Sequence, residues 1–126
     1  MSRRAARLFL LGLGAARLVE GLYAVVATDS FLRVLGSEIH VPGARAGFRM
    51  KSGRDVALGL LSLTAVGDDA RLADLAMTTV VVDTVDAAAV LIDGRQAFGS
   101  PVFPAGAVLG LGVALTAAFA ARSLRR

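Results

Sequence analysis

The chain contains no cysteine, which excludes disulfides, thiol catalysis and thiolate metal sites. It has one histidine, His40, so a multi-histidine metal centre cannot be assembled. Neither a metal nor a cofactor is implied by any motif. Lys51 is the only lysine, and the other basic residues are arginine. Residues 102–121 carry no charge at all. A net charge of +4 and a pI near 11 resemble those of a nucleic-acid-binding protein. The basic residues, however, lie at the ends of apolar runs and within them, where membrane insertion accounts for them. Nucleic acid is therefore not an expected partner.

What the sequence has in abundance is apolar surface. Of 126 residues 56% are hydrophobic, with a mean hydropathy of +0.67. A water-soluble domain of this length cannot hide so much in one core. Four stretches approach the roughly 20 residues a spanning helix needs: about 8–27, 46–66, 72–92 and 102–121. The expected fold is all-α, an integral membrane four-helix bundle, with residues 1–126 forming one four-span domain. The connectors carry turn signals at Pro42-Gly43, Gly67-Asp68-Asp69, Asp93-Gly94 and Gly99-Ser100-Pro101. Asp68 or Asp69 reads as the cap of helix 3, and Pro104 is tolerable in the first turn of helix 4. Helix 2 is the least apolar, because Arg49, Lys51, Arg54 and Asp55 occupy its first half. In the first connector, residues 30–36 read as a short helix capped by Asp29 or Ser30. Its Phe31, Leu32, Val34 and Leu35 lie in the interface or fold over the bundle.

Arg3, Arg4 and Arg7 precede helix 1, and Arg122, Arg125 and Arg126 follow helix 4. The positive-inside bias then places both termini in the cytoplasm, against the opposing Arg33, Arg45, Arg49 and Arg95. A cleaved signal peptide over residues 1–16 is the alternative for the first segment.

The informative residues are the charges inside the apolar stretches. Each costs on the order of 3 kcal/mol near a bilayer centre, so each must face inward and find a partner. Arg17 and Glu20 share a stripe of helix 1 with Ala24 and Thr28. Lys51 and Asp55 share a stripe of helix 2 with Leu58 and Ser62, and Arg54 lies beside it. Asp83 and Asp86 share a stripe of helix 3 with Thr79, Val90 and Asp93. The three stripes meet at one depth, so Arg17, Glu20, Lys51, Arg54, Asp55, Asp83 and Asp86 form the candidate binding site. His40 and Arg45 are expected at its mouth. Three bases face four carboxylates, so a proton or bound cation on Asp83 or Asp86 is expected to balance the layer. Elsewhere, Asp68, Asp69 and Asp74 read as a solvated turn and cap. Gly106, Gly110 and Gly112 of helix 4, and Gly12 and Ala16 of helix 1, offer small-residue faces for packing within the bundle or in a dimer.

The segment Lys51-Ser52-Gly53-Arg54-Asp55-Val56-Ala57-Leu58-Gly59 resembles a Lys-x-x-Arg-Asp-x-x-x-Gly pattern. That pattern is associated with a domain-of-unknown-function family, number 4267. The matching positions are Lys51, Arg54, Asp55 and Gly59, and the four-helix plan extends the likeness to about residues 5–121. The family is similar to the broader DoxX-like four-helix membrane proteins. Some of those are associated with membrane redox complexes, and related four-helix sterol isomerases shuttle protons through buried acids and bases. The resemblance implies the fold, whereas no isomerase site maps onto this chain residue by residue.

Three functions follow as expectations. The first is a multi-pass membrane protein that binds a small ligand, a proton or a membrane partner at the charged site. The second is an acid–base, isomerase-like enzyme on a lipid-soluble substrate, with Asp83 or Asp86 exchanging the proton and Arg17 or Arg54 stabilising charge. The third is a structural subunit of a membrane redox complex. The expected surroundings are the lipid bilayer and, beyond it, a small hydrophobic ligand or a membrane-protein partner. A cavity of several hundred cubic ångströms against the charged layer favours the ligand-binding readings.

Overall fold

The computed structural model describes residues 1–36, 43–94 and 102–126, which are almost entirely helical. Helix α1 spans Arg3–Val26, α2 spans Thr28–Val34, α3 spans Ala44–Thr64 and α4 spans Asp69–Ala89. A π-helical turn, Val90–Gly94, prolongs α4, and α5 spans Val102–Leu124. His40 and Arg95, and the expected turns at Pro42 and at Gly99-Ser100-Pro101, lie outside the described residues, as does the side chain of Asp93.

The helix ends follow local chemistry. Ser2 caps α1 by accepting from the Ala5 N–H, and Asp68 caps α4 by accepting from the Arg71 N–H. Gly67, at φ +90°, makes the tight turn between α3 and α4, in a region where a side chain is strained. Helix α2 begins two residues earlier than its sequence suggests. Ala27 precedes it without a side-chain cap, and Asp29 sits in its first turn. The cap expected from Asp29 or Ser30 is therefore not made: α1 runs almost directly into α2, and Asp29 is drawn instead to Arg45 at 2.8 Å.

Three helical segments, Arg3–Val26, Asp69–Ile92 and Ala105–Leu124, are long and apolar enough to cross a membrane. Helix α3 has the length but carries too many charges to qualify on composition. Outward-facing side chains on the three apolar helices are hydrophobic: Val19, Val81, Val85, Leu109, Leu115 and Phe119 are each more than 60% exposed. So much continuous apolar surface is foreign to a protein in water and natural in hydrocarbon.

Packing runs in two pairs, α1 on α3 and α4 on α5, joined mainly where α1 meets α5. Alanine dominates the core at the end where both termini lie. There Ala6, Ala73, Ala76, Ala117, Ala120 and Ala121 bring the backbones close around Leu10, Leu72 and Leu124. At the opposite end Leu32 of α2 is buried against Ala24 and Phe48, so α2 folds over the bundle.

The closest approach belongs to glycines other than those the small-residue spacing in α5 suggested. A Cβ at Gly59 meets the Gly14 carbonyl oxygen at 2.6 Å and the Leu18 nitrogen at 2.7 Å. One at Gly21 meets the Ser52 carbonyl oxygen at 2.8 Å. Gly14 and Gly21, two turns apart on α1, thus face Gly59 and Ser52 of α3 at backbone contact. At Gly12, Gly106, Gly110 and Gly112 a Cβ meets nothing within 4 Å, so these glycines make no close helix contact among the described residues. Replacing Gly59 by valine forces α1 and α3 apart, because the obstructing atoms are backbone. Unfolding of the detergent-solubilised protein in sodium dodecyl sulfate, followed by circular dichroism, is expected to show a loss of about 2–3 kcal/mol or more. Gly12→Val is expected to fall within about 1 kcal/mol of the parent, with only the helix propensity of the residue changing.

Candidate functional site

Between the alanine-packed end and the α2 end lies a layer of ion pairs. Arg17 donates from Nη1 to Asp55 Oδ1 at 2.9 Å and from Nη2 to Asp83 Oδ2, joining α1 to both α3 and α4. All three side chains are nearly buried, at 13%, 13% and 14% exposure. Lys51 donates to Asp55 Oδ2 at 2.8 Å, one turn along α3. Arg54 reaches across to α4 and grips Asp86 with both terminal nitrogens, the fork geometry that makes guanidinium–carboxylate pairs strong. Lys51 to Asp86 at 3.7 Å and Arg54 to Asp55 at 3.8 Å close the network. The Nε atoms of Arg17 and Arg54 are buried and lack a hydrogen-bond partner among the described residues.

Six of the seven expected site residues are therefore brought into one network, three bases to three aspartates. The seventh, Glu20, has no ion-pair partner among the described residues, although it stands one turn beyond Arg17. Asp83 and Asp86, where a balancing proton or cation is expected, are each paired with a guanidinium. Arg45 is not at the mouth of the layer: it is more than half exposed and paired with Asp29 at the surface.

A cavity of ≈ 390 Å³ opens on the α2 side of this layer. Arg17, Glu20, Lys51, Asp55, Asp83 and Asp86 form its polar end. Its apolar walls come from Leu13, Ala16 and Ala24 of α1, Ala87 and Val90 of the α4 end, and Gly106, Ala107 and Gly110 of α5. Phe31 and Leu35 of α2 and Phe48 of α3 close over it. The aromatic groups support one another: Tyr23 meets Phe31 edge-on at 5.5 Å between centroids, and Phe31 packs on Phe48 at 5.9 Å. On the other side of Arg17 the space shrinks to ≈ 10 Å³ among Leu10, Gly14, Ser62 and Thr79, room for one water at most. The cavity is thus a blind pocket with a charged floor.

The sequence offers Phe31 and Leu35 as residues of the interface or folded over the bundle but does not connect them to the site, and it does not reveal Phe48 or one ion-pair cluster outside the pocket. Phe48 and Ser52 precede Asp55 at helical steps, so a wider reading of the α3 stripe includes them. Phe31 belongs to a different helix, which no periodicity connects to the site. Asp69, read as part of a solvated turn, is 9% exposed and accepts from Arg3 at 2.6 Å and from Arg7 at 2.8 Å. It ties the start of α1 to the start of α4. Asp74 is exposed, as a solvated residue would be, but pairs with Arg125 across α5.

Compared with known proteins, the chain matches no family model, no curated protein and no solved structure. The four residues of the Lys-x-x-Arg-Asp-x-x-x-Gly pattern nevertheless have distinct physical tasks here. Lys51 and Arg54 neutralise Asp55 and Asp86, Asp55 holds Arg17, and Gly59 admits the α1 backbone.

Arg17 is the most buried of the three bases and, among the described residues, the one base paired with Asp83. Arg17→Ala is expected to destabilise the protein by roughly 3–5 kcal/mol, the usual consequence of breaking a buried pair from one side. Arg122→Ala, at an exposed helix end, is expected to change stability by less than about 0.5 kcal/mol. Parallel sodium dodecyl sulfate titrations of the two variants measure the difference.

Proposed function

We propose that this chain is a four-span membrane protein that binds a small lipid-soluble molecule in the pocket above its charged layer. The reading rests on the ≈ 390 Å³ cavity, which lies in the size range of small-molecule sites and combines apolar walls with a few convergent polar groups. Helix α3 serves as the fourth span. Its 21 residues reach about 31 Å, the thickness of a hydrocarbon core, and Lys51, Arg54 and Asp55 turn to partners on α1 and α4. Charges that pair inward leave a helix far less costly to insert than its composition suggests. The proton-transfer reading has less support, because Asp83 and Asp86 are each already paired with a guanidinium. The arginine-flanked termini place both ends in the cytoplasm.

Orientation is measured with single cysteines, clean probes in a chain that has none. Ser37→Cys and Gly99→Cys are expected to react with an impermeant thiol reagent added to intact cells, and Ser2→Cys and Ala70→Cys to be protected. The reverse pattern inverts the orientation, and a split within either pair removes the four-span topology.

Binding is measured by photolabelling with a diazirine-bearing dodecanol in phosphatidylcholine nanodiscs. Saturable labelling of the pocket walls on α1, α3 and α5 is expected. Gly110→Leu fills the pocket where a Cβ meets open space, so it should fold normally and reduce that labelling about tenfold. Labelling that never saturates and spreads over outward residues such as Val81, Val85 and Leu115 removes the ligand-binding reading.

A further inference from the structure

We infer that the pocket selects a cationic ligand, a lipid-soluble amine whose ammonium group is anchored by Glu20. The inference rests on the ligand-binding reading above and adds the chemical class of the ligand. Its first support is the charge balance. Arg17, Lys51 and Arg54 are matched one for one by Asp55, Asp83 and Asp86, all within a single network. Glu20 lines the same cavity with no partner among the described residues. Glu20 is exposed, so its carboxylate is open to a cation entering the pocket, and a charge-assisted contact there breaks no existing ion pair among the described residues.

The second support is that the bases lining the cavity, Arg17 and Lys51, are already engaged by carboxylates. Arg17 is already shared between two carboxylates and Lys51 lies within 4 Å of two. An incoming carboxylate or phosphate must displace an aspartate from these bases and then sit beside four like charges. A cation displaces nothing. The third support is aromatic. Phe31 and Phe48 line the cavity that Glu20 lines, and ring faces attract ammonium groups through their quadrupoles. The alanine and glycine walls on α1 and α5 leave room for an alkyl or ring body beyond the charged end.

The experiment compares two photoprobes of equal length, a diazirine-bearing N,N-dimethyldodecylamine and the matching dodecanol, in phosphatidylcholine nanodiscs. The parent is expected to bind the amine at least about tenfold more tightly than the alcohol, as a charge-assisted contact predicts. Glu20→Gln is expected to abolish that preference, and circular dichroism together with alcohol labelling of the variant reports whether fold and pocket are intact. Glu20→Asp, which keeps the charge, is expected to retain most of it. Equal binding of the two probes by the parent overturns the inference and leaves the ligand-binding reading standing, as does an amine preference that survives in Glu20→Gln. Should Glu20→Gln lose the alcohol too, Glu20→Asp decides: a preference lost there as well places its origin away from the carboxylate and overturns the inference. Absence of saturable labelling by either probe removes both readings. Competition by phosphatidylethanolamine in the nanodisc identifies a lipid headgroup as the ammonium source, and lack of competition identifies a free amine; in both cases the ammonium sits at Glu20.

Discussion

Arg17 is held by two aspartates from two different helices, and much else in the structure depends on that arrangement. A guanidinium midway along an apolar helix has no water to hydrate it, so it must bring its counter-charges with it. Asp55 and Asp83 supply them from α3 and α4, which share little other packing. Arg54 repeats the device one layer nearer α2, crossing the same seam to Asp86. The α3–α4 side of the seam between the two helix pairs is therefore closed by ions where one would expect side chains to interlock. An ion-paired seam is directional, since it fixes the axial register of α3 against α4. It also cannot shrink to fill space as an apolar core does, and the pocket survives beside it.

The remaining packing makes that geometry attainable. Gly14, Gly21 and Gly59 let α1 and α3 approach to backbone contact, which brings Arg17 within reach of Asp55. At the terminal end, alanines pull α1, α4 and α5 together, and Arg3 and Arg7 clamp Asp69. That end is closed and offers a void no larger than a water. At the other end α2 folds over the helices, with Leu32 buried and Phe31 lining the pocket. The pocket is charged at the floor and apolar along the walls. Glu20 lines the same pocket with no ion-pair partner among the described residues.

The helical plan and the meeting of charges at one depth were legible in the sequence, and the reason is periodicity. A run of about 20 apolar residues has few ways to satisfy its backbone except as a helix. Charges at three- and four-residue steps then share a face whatever the neighbours are. Arg17, Lys51, Asp55, Asp83 and Asp86 were identifiable on that ground alone, and Asp68 as a cap by its position before the α4 pattern.

Pairing was not legible, because it depends on relative rotation and axial offset, which periodicity leaves open. The count of charges predicted one carboxylate too many but assigned the surplus to Asp83 or Asp86, where like charges stand a turn apart. Only the packing of α1 and α3 against α4 revealed that guanidinium groups reach both aspartates and that Glu20 has no ion-pair partner among the described residues. Asp69 was read as solvated because its neighbours in sequence are polar; its partners, Arg3 and Arg7, come from the start of the chain. The glycine spacing in α5 looked like a contact face, yet the contact glycines are on α1 and α3, since spacing shows that a close approach is possible and not where a partner lies. By itself the sequence determined which residues must be helical and which must avoid the apolar exterior, because those are properties of single elements. The tertiary structure decided who pairs with whom and where space remains, because those depend on distances between elements that no local pattern encodes.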